Sequence, residues 1–416
     1  MISYKNSINE LKKSQLKIGD ENVSTSNSLN RVSALDVYNK VNNPAADNAA
    51  FDGFAINSKD TKNLNTKQKK VFRIIGIIAA GNKALKKKIK KFDTVEIMTG
   101  GIIPNEFDTI IPIEEIIFYP NKNKPQGILI DKKVNKSQHI RSKGSDYKKN
   151  DLLIKKGTIL CPNHILALKT LGIKKIKVKK IPNILFFSTG NEITDQYKIP
   201  AWKVRNSNSH YINSLSGSFL FSYNYGGILR DKDESLFEKK IKKMLNSKID
   251  IIITSGAVSA GKFDYIPKIV KKFKLSNYFK SVAIRPGKPI LFAKIKGKQK
   301  VIFGLPGNPI SSAACFRFFV YPYLQESLGI SNEKSVKAVL KNNFIKKINF
   351  TRFVKSRINT TKNGKLEVEI LKGQESFRIQ SFIKSNIWTL LPSGKGKFKK
   401  GDIVDCFFQN YPNKIF

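Results

Sequence analysis

Three segments of the chain place glycine and small hydroxyl residues directly after an apolar run. Ser188-Thr189-Gly190-Asn191-Glu192 follows NILFF. Thr254-Ser255-Gly256-Ala257-Val258-Ser259-Ala260-Gly261 follows IDIII and leads to Asp264. Gly304-Leu305-Pro306-Gly307-Asn308-Pro309 follows VIF. Glycine and Ser/Thr at such positions leave backbone N–H groups free to meet phosphate oxygens. One loop of this kind is an ordinary tight turn, but three in one sheet point to a shared anion-binding crevice, because ligands of doubly wound sheets bind outside the carboxyl ends of the strands. Between the second and third loops, Arg285-Pro286-Gly287-Lys288-Pro289 sets two cations around a Pro-Gly turn. Prolines restrict the backbone there, so both cationic heads can be aimed at one oxyanion.

Carboxylates stand at similar points of punctuation: Asp52 in DNAAFDGFA, Asp146 in RSKGSD, Glu192, Asp231 in GGILRDKDE and Asp264 in GKFDY. Singly, each reads as a turn or N-cap acid; together, hard oxygens beside phosphate loops suit Mg²⁺. The 3 cysteines (Cys161, Cys315, Cys406) form no CxxC and the 3 histidines show no ligand spacing. A bound metal would therefore rest on carboxylates. Gly256-x4-Gly261-Lys262 matches most of a phosphate-binding Walker loop, but Phe263 stands where a Ser or Thr should hold Mg²⁺, which argues against a P-loop nucleotidase.

The elements that must position these residues follow from the hydrophobic pattern. Residues 3–16 have helical spacing, and a second short helix is expected near 28–40. Short β-like runs with turn residues between them (VFRIIGIIAAG, DTVEIMTGG, DTIIPIEEIIFY, GILIDKKV) fill 46–139. HILALKTLGI reads as a helix closing on Gly172. From 179 to 328, apolar strands alternate with helices (ESLFEKKIKKMLN, YIPKIVKKF), the grammar of a parallel, doubly wound sheet. Asn308-Pro309 is an N-cap followed by Pro at N1, opening the helix ISSAACFRFFVYPYLQESL. After 329 the chain returns to strands, with Asn363-Gly364 as a type I′ hairpin signal. The expected fold class is a multidomain α/β protein. A split N-terminal linker domain takes 1–45 and 140–178, an inserted β domain 46–139, an α/β domain 179–328 and a C-terminal β-barrel-like domain 329–416.

DNAAFDGFAI, EIMTGGIIP, RSKGSD, FFSTGNEI, TSGAVSAGKFDY, AIRPGKP and GLPGNP, in this order, resemble the molybdopterin molybdenumtransferase family, which is related to the C-terminal domain of gephyrin. The resemblance spans about residues 20 to 410. It implies an enzyme that inserts molybdate into adenylylated molybdopterin with Mg²⁺-dependent release of AMP. It also implies a homodimer with active sites between subunits, and a molybdopterin adenylyltransferase as the partner that supplies the substrate. Carried over by motif position, Asp52, Glu192, Asp231 and Asp264 are the expected catalytic acids, with Glu192 and Asp231 on the metal. Thr99, Asp146, Ser188, Thr189, Gly190, Ser255, Gly256, Ser259, Arg285, Lys288, Pro306, Gly307, Asn308 and Pro309 are expected to bind substrate. Two positions depart from the family pattern: Ala257 stands where a second Gly is frequent, and Ser281, with Lys280 beside it, stands where some members carry Lys. Arg352 and Arg357 fit the pattern loosely and are given no role.

Lys plus Arg number 76 against 31 Asp plus Glu, a formal charge of +45. Such an excess favours anionic partners, but the lysines are dispersed and no nucleic-acid recognition module is legible, so specific nucleic-acid binding is not expected. A relative acting on another nucleotide-like substrate, resembling the competence-damage-inducible deamidases, would lack the flanking motifs, and a non-catalytic scaffold would not need the acids and cations. No signal-peptide core and no apolar run of membrane-spanning length appear, so the expected location is the cytoplasm.

Overall fold

The computed structural model describes residues 1–82, 87–217, 221–258 and 265–409. The chain divides into two compact units: one is Asp36–Ile154 with Thr170–Gly172, the other Met1–Leu35, Lys155–Lys169 and Ile173–Phe416.

The first unit is built on a six-stranded sheet. Its strands are β1 (Gly53–Ile56), β2 (Lys70–Ile78), β3 (Asp93–Ile97), β4 (Thr109–Pro112), β5 (Ile117–Tyr119) and β6 (Gly127–Ile130), in the order β4-β1-β3-β2-β6-β5. Only β2 and β3 pair in parallel; the other neighbours are antiparallel. Side chains alternate across a strand, and here both faces are covered: Phe54 and Ile56 enter one apolar cluster while Ala55 enters the other. Gly53 opens β1 because a Cβ there would lie 2.1 Å from the Ile111 carbonyl oxygen. Asp52 thus stands at the start of β1, and Thr99 just beyond β3.

The second unit begins with α1 (Tyr4–Lys13), capped by the Ser3 hydroxyl, which accepts from Asn6 N at 3.1 Å. The expected helix at 28–40 does not form. Asn30 takes φ 61°, Val32 and Ser33 make isolated bridges to Ile159 and Val178, and Val37–Tyr38 is a short strand of the first unit. Tertiary pairing overrides a weak local pattern there. α2 (Pro162–Thr170) does close on Gly172, at φ 71°, with Ile173 N–H donating to the Leu168 carbonyl at 2.8 Å, a Schellman end.

The sheet of this unit holds β7 (Asn183–Thr189), β8 (Ser222–Leu229), β9 (Ile251–Ser255), β10 (Leu275–Lys280), β12 (Leu291–Ile295) and β13 (Val301–Leu305), ordered β8-β7-β9-β13-β12-β10; β11 (Ile284–Arg285) lies outside it. The first four are parallel, as expected. β12 and β10 are antiparallel, so the sheet is mixed. Phe186, Ile253 and Phe303 face α1, α3 (Ser207–Ser216), α6 (Pro309–Cys315) and α7 (Tyr321–Leu328). Their neighbours Phe187, Ile252 and Ile302 face α4 (Glu234–Leu245) and α5 (Ile266–Lys271). Helices on both faces explain why these strands are continuous apolar runs. The helix opened by Asn308 is not uniform: Phe316–Val320 widens into a π turn before α7. Pro322 lacks the N–H that a regular helix would use at this point.

Past α7 the chain forms β14 (Val336–Leu340), β15 (Thr351–Thr360), β16 (Leu366–Ile370), β17 (Ile387–Leu391) and β18 (Ile403–Phe408). The ring β15-β16-β14-β18-β17 closes because β17 also pairs with β15, and β11 adds in parallel to β15. The β15–β16 hairpin forms where Asn363-Gly364 signals it, but not as type I′. Gly364 takes the positive φ (75°) and its N–H donates to the Thr361 carbonyl at 3.0 Å, so a turn of the αR type precedes a left-handed glycine.

Candidate active site

The carboxyl ends of β7, β8, β9 and β13 meet around one cavity of about 540 Å³, lined by Ser188, Thr189, Gly190, Glu192, Asp231, Ser255, Gly256 and Pro306–Pro309 among others. The loops are stitched to one another atom by atom. Thr189 Oγ1 donates to the Ser255 carbonyl at 2.9 Å, Gly256 N–H donates to the Leu305 carbonyl at 2.8 Å, and Ser255 Oγ donates to the Pro306 carbonyl at 3.3 Å. Asn208, in the first turn of α3, donates from Nδ2 to both Ser255 Oγ (2.6 Å) and the Gly307 carbonyl (2.8 Å). Glycine is required where the loops touch. A Cβ on Gly256, at φ 103°, would sit 2.5 Å from Thr189 Oγ1 of the neighbouring loop, whereas Gly190 is held to glycine by its φ of 128°. Ala257 takes φ 53°, a left-handed position that the frequent family glycine would enter without strain.

Both expected metal-holding acids line this cavity. Asp231 is oriented reciprocally by Asn191, whose Nδ2 donates to Asp231 Oδ2 at 2.7 Å while Asp231 N–H donates to Asn191 Oδ1 at 3.2 Å. Arg230 pins the same loop, donating to the carbonyls of Gly190 (3.0 Å), Asn191 (3.3 Å) and Ile193 (2.7 Å). Among the described residues no group of three His, Cys, Asp or Glu is gathered as a metal cage. Two carboxylates in one cavity are nevertheless a donor set that suits Mg²⁺ when phosphates of a ligand and water complete its shell.

A second cavity, of about 550 Å³, shares Pro289, Pro306 and Asn308 with the first. Arg285 and Lys288 both line it, as their spacing suggested, together with Ser311, Arg352 and Ser376. Gly287 makes the turn at φ 99°, and a Cβ there would strike Cys315 Sγ at 2.4 Å. β11 and β15 bring Arg285 and Arg352 into register. Burial, then the neighbouring Arg285 guanidinium, pulls the Arg352 pKa below its ordinary value. Two guanidiniums held side by side are an arrangement that an anion would relieve.

Several of these residues escaped sequence reasoning. Arg352 was given no role, because its place in the site depends on barrel closure, and Ser376 and Asn208 carry no local signature. Arg230 follows a fourth strand, Ser222–Leu229, whose Tyr, Asn and Gly residues conceal the apolar run, whereas Asp231 beside it is among the expected acids. Ser281 and Lys280 line neither cavity. Asn308 stands at the N-cap of α6, but its side chain donates to Ser376 Oγ at 3.1 Å instead of capping the helix. Ser259 and Asp264 lie outside the described residues. Asp52, Thr99 and Asp146 belong to the first unit. There, Asp52 Oδ1 accepts from Thr99 N–H (2.6 Å) and Oγ1 (2.7 Å), and these bonds hold its carboxyl below the usual range; Asp146 accepts from Asn43 Nδ2 at 2.8 Å.

Comparison with known proteins decides the family. Residues 2–172 match the model of the MoeA N-terminal region (domain I and II), 186–326 that of a probable molybdopterin binding domain, and 337–407 that of the MoeA C-terminal region (domain IV). A molybdopterin molybdenumtransferase of Staphylococcus aureus (strain COL) is 32% identical over 97% of this chain and 94% of its own length. The chain belongs to the molybdopterin molybdenumtransferase family. A relative of the same name from Staphylococcus epidermidis (strain ATCC 12228 / FDA PCI 1200) is 30% identical over 97% of the chain and 94% of its own. The crystal structure of a molybdopterin biosynthesis moeA protein from Pyrococcus horikoshii OT3 superposes with a TM-score of 0.83 at 26% identity, covering 98% of this chain and 100% of that one. This molybdenumtransferase-family chain is therefore an enzyme of molybdenum-cofactor biosynthesis, and its two adjoining cavities are the place to look for that chemistry.

Proposed function

We propose that the enzyme inserts molybdate into adenylylated molybdopterin, releasing AMP. The observation that carries this reading is the pairing of an acid-bearing cavity between phosphate-type loops with an adjoining cavity dominated by Arg285, Lys288 and Arg352. The substrate's linked phosphates fit the first, whose lining includes Gly307 and the Asn208-braced Ser255, while the N–H groups of Gly190 and Gly256 are taken up by the Leu229 and Leu305 carbonyls and shape the loops. Molybdate, a dianion, fits the second. Glu192 and Asp231 would hold Mg²⁺ against the phosphates, and the metal supplies charge neutralisation as the pyrophosphate link breaks. The protein's part is to fix Asp231 through Asn191, to brace the first loop through Arg230, and to keep Arg285 and Arg352 aligned through the β11–β15 pairing. Ser259 and Asp264 are assigned to this site, and Asp52, Thr99 and Asp146 to the reaction as the family resemblance implies, in a cytoplasmic homodimer whose sites lie between subunits and which receives its substrate from a molybdopterin adenylyltransferase.

The test is reconstitution. Purified protein, adenylylated molybdopterin, Mg²⁺ and molybdate are mixed, following AMP release and activation of an apo-molybdoenzyme. Molybdate-dependent AMP release that chelation by EDTA abolishes is the expected result. Tight substrate binding with no AMP release under any metal would instead make the chain a carrier.

A further inference from the structure

Lys355 lies on β15, three residues from Arg352, and is 1% exposed. No carboxylate lies within salt-bridge reach of it among the described pairs; its ammonium group instead donates to three backbone carbonyls of one segment: Gly373 at 2.7 Å, Glu375 at 3.1 Å and Arg378 at 3.1 Å. The same segment is tied to the strand by Gln374, whose Oε1 accepts from Lys355 N–H (3.0 Å) and whose Nε2 donates to the Lys355 carbonyl (2.8 Å). Burying an ammonium group against neutral acceptors is costly, and a neutral residue with satisfied neighbours would cost less. The segment so gripped forms a wall of the cation-lined cavity: Gln374–Phe377 face Arg285, Lys288 and Arg352, and Ser376 meets Asn308 on the third glycine loop.

We propose that Lys355 is a positioning residue for the oxyanion subsite, its charged head holding segment 373–378 in the shape that sets Ser376 against Asn308 and closes the cavity opposite Arg285. The inference rests on the molybdate-binding reading of that cavity. It adds a residue that touches no substrate but sets the affinity for it, through loop geometry and through one further positive charge beneath the site. The charged groups that bear on Lys355 are Glu375, which raises its pKa, and Arg378 and Arg352, which lower it; burial outweighs them all and brings it down to about 8. Glu375 is itself paired with Arg378 at 3.1 Å. The sign follows: below that value the ammonium is intact and the segment is gripped by a full charge, and above it the proton leaves and the grip weakens.

The experiment is molybdate binding by calorimetry on the full chain from pH 6.5 to 9, with steady-state kinetics alongside. Wild type should bind with constant affinity at the acid end and lose about tenfold toward pH 9, the scale of one charge-assisted interaction. Lys355→Met should be weakened already at pH 6.5 and flat across the window, with the molybdate KM raised and kcat at saturation within about twofold of wild type. Any other group titrating there would keep its pH dependence in Lys355→Met, so matching profiles in the two proteins would overturn the inference. Should Lys355→Met fail to fold, a flat wild-type profile overturns it alone. No molybdate binding at any pH would sink the oxyanion site itself and this inference with it, whereas binding without the pH limb removes only the role of Lys355.

Discussion

Asp231 and Glu192 line the same cavity, yet the structure restrains them differently: Asp231 is fixed by a reciprocal pair of hydrogen bonds with Asn191, one donated by each residue, while Glu192 lies exposed over Gly190. Charge at these positions matters more than shape if both face Mg²⁺ and phosphate. Glu192→Gln and Asp231→Asn should each lower AMP release by about 10²-fold or more with unfolding curves unchanged, the scale of losing one preorganised electrostatic group. Full activity in both would remove them from the metal site. Asn191→Ala should act through Asp231, raising the Mg²⁺ concentration needed for half-maximal rate more than it lowers the maximal rate. At Asp52 the linkage has a definite sign. Its carboxyl is depressed by the Thr99 backbone and hydroxyl bonds, so its contribution to stability is complete above the ordinary carboxylate range. That contribution fades as pH falls through the depressed value. Thr99→Val removes one of the two bonds, moves the Asp52 titration upward by NMR, and shifts that acid limb to higher pH. An unmoved Asp52 titration would mean the hydroxyl contributes nothing.

At the scale of elements, the loops are set by steric fit as much as by hydrogen bonds. Gly287 carries positive φ directly against Cys315, which α6 buries beneath the Arg285–Pro289 turn. Gly287→Ala should cost about 2–3 kcal/mol from overpacking and left-handed strain combined, and should raise the molybdate KM by displacing Arg285 and Lys288. Adding Cys315→Ala removes the clash but not the strain, so the double variant should recover part of the loss. Strictly additive costs would show that the contact is unimportant. Ala257 offers the converse case. Glycine there relieves about 1 kcal/mol of left-handed strain but costs about 0.5–1 kcal/mol of chain entropy. Ala257→Gly should therefore leave stability nearly unchanged by chemical denaturation, and a large shift in either direction would mean the loop is held by something other than its backbone conformation.

Across the second unit, the sheet domain and the barrel are joined where the π turn meets the barrel wall. Phe318 stacks on Phe353 with centroids 4.0 Å apart. Arg317, with its side chain 3% exposed, donates twice to the Glu333 carboxylate at 2.6 Å and once to the Phe408 carbonyl at 2.9 Å. Removing one partner of a buried pair strands the other charge. Glu333→Ala should cost about 3–5 kcal/mol, seen as a lower midpoint in chemical denaturation. A change below about 1 kcal/mol would mean that water already reaches the pair. The same junction shapes the cation-lined cavity, since β11 takes Arg285 from the sheet domain onto β15 of the barrel, and Lys355 on that strand is hydrogen-bonded to the opposing wall.

What the sequence determined by itself was local. Alternating strands and helices, loops whose glycines must accept positive φ or close backbone approach, and Arg285 and Lys288 around one turn were all legible, because each depends on a few adjacent residues. So was the family, whose motifs include those same loops. The 28–40 segment, the antiparallel β10 and β12, the hairpin's turn type and the π turn were misread or missed. Apart from the hairpin, where loop length chose the turn, pairing with a distant strand or packing of a proline-broken helix outweighed a weak local preference. Ser376, Asn208 and Lys355 had no local signature, and Arg352 only a loose fit to the family pattern. They enter the site only because barrel closure sets β15 beside β11, and because the first turn of α3 reaches two loops 47 and 99 residues away in sequence. Which side chains share a cavity is a matter of long-range pairing, and only the tertiary structure decided it.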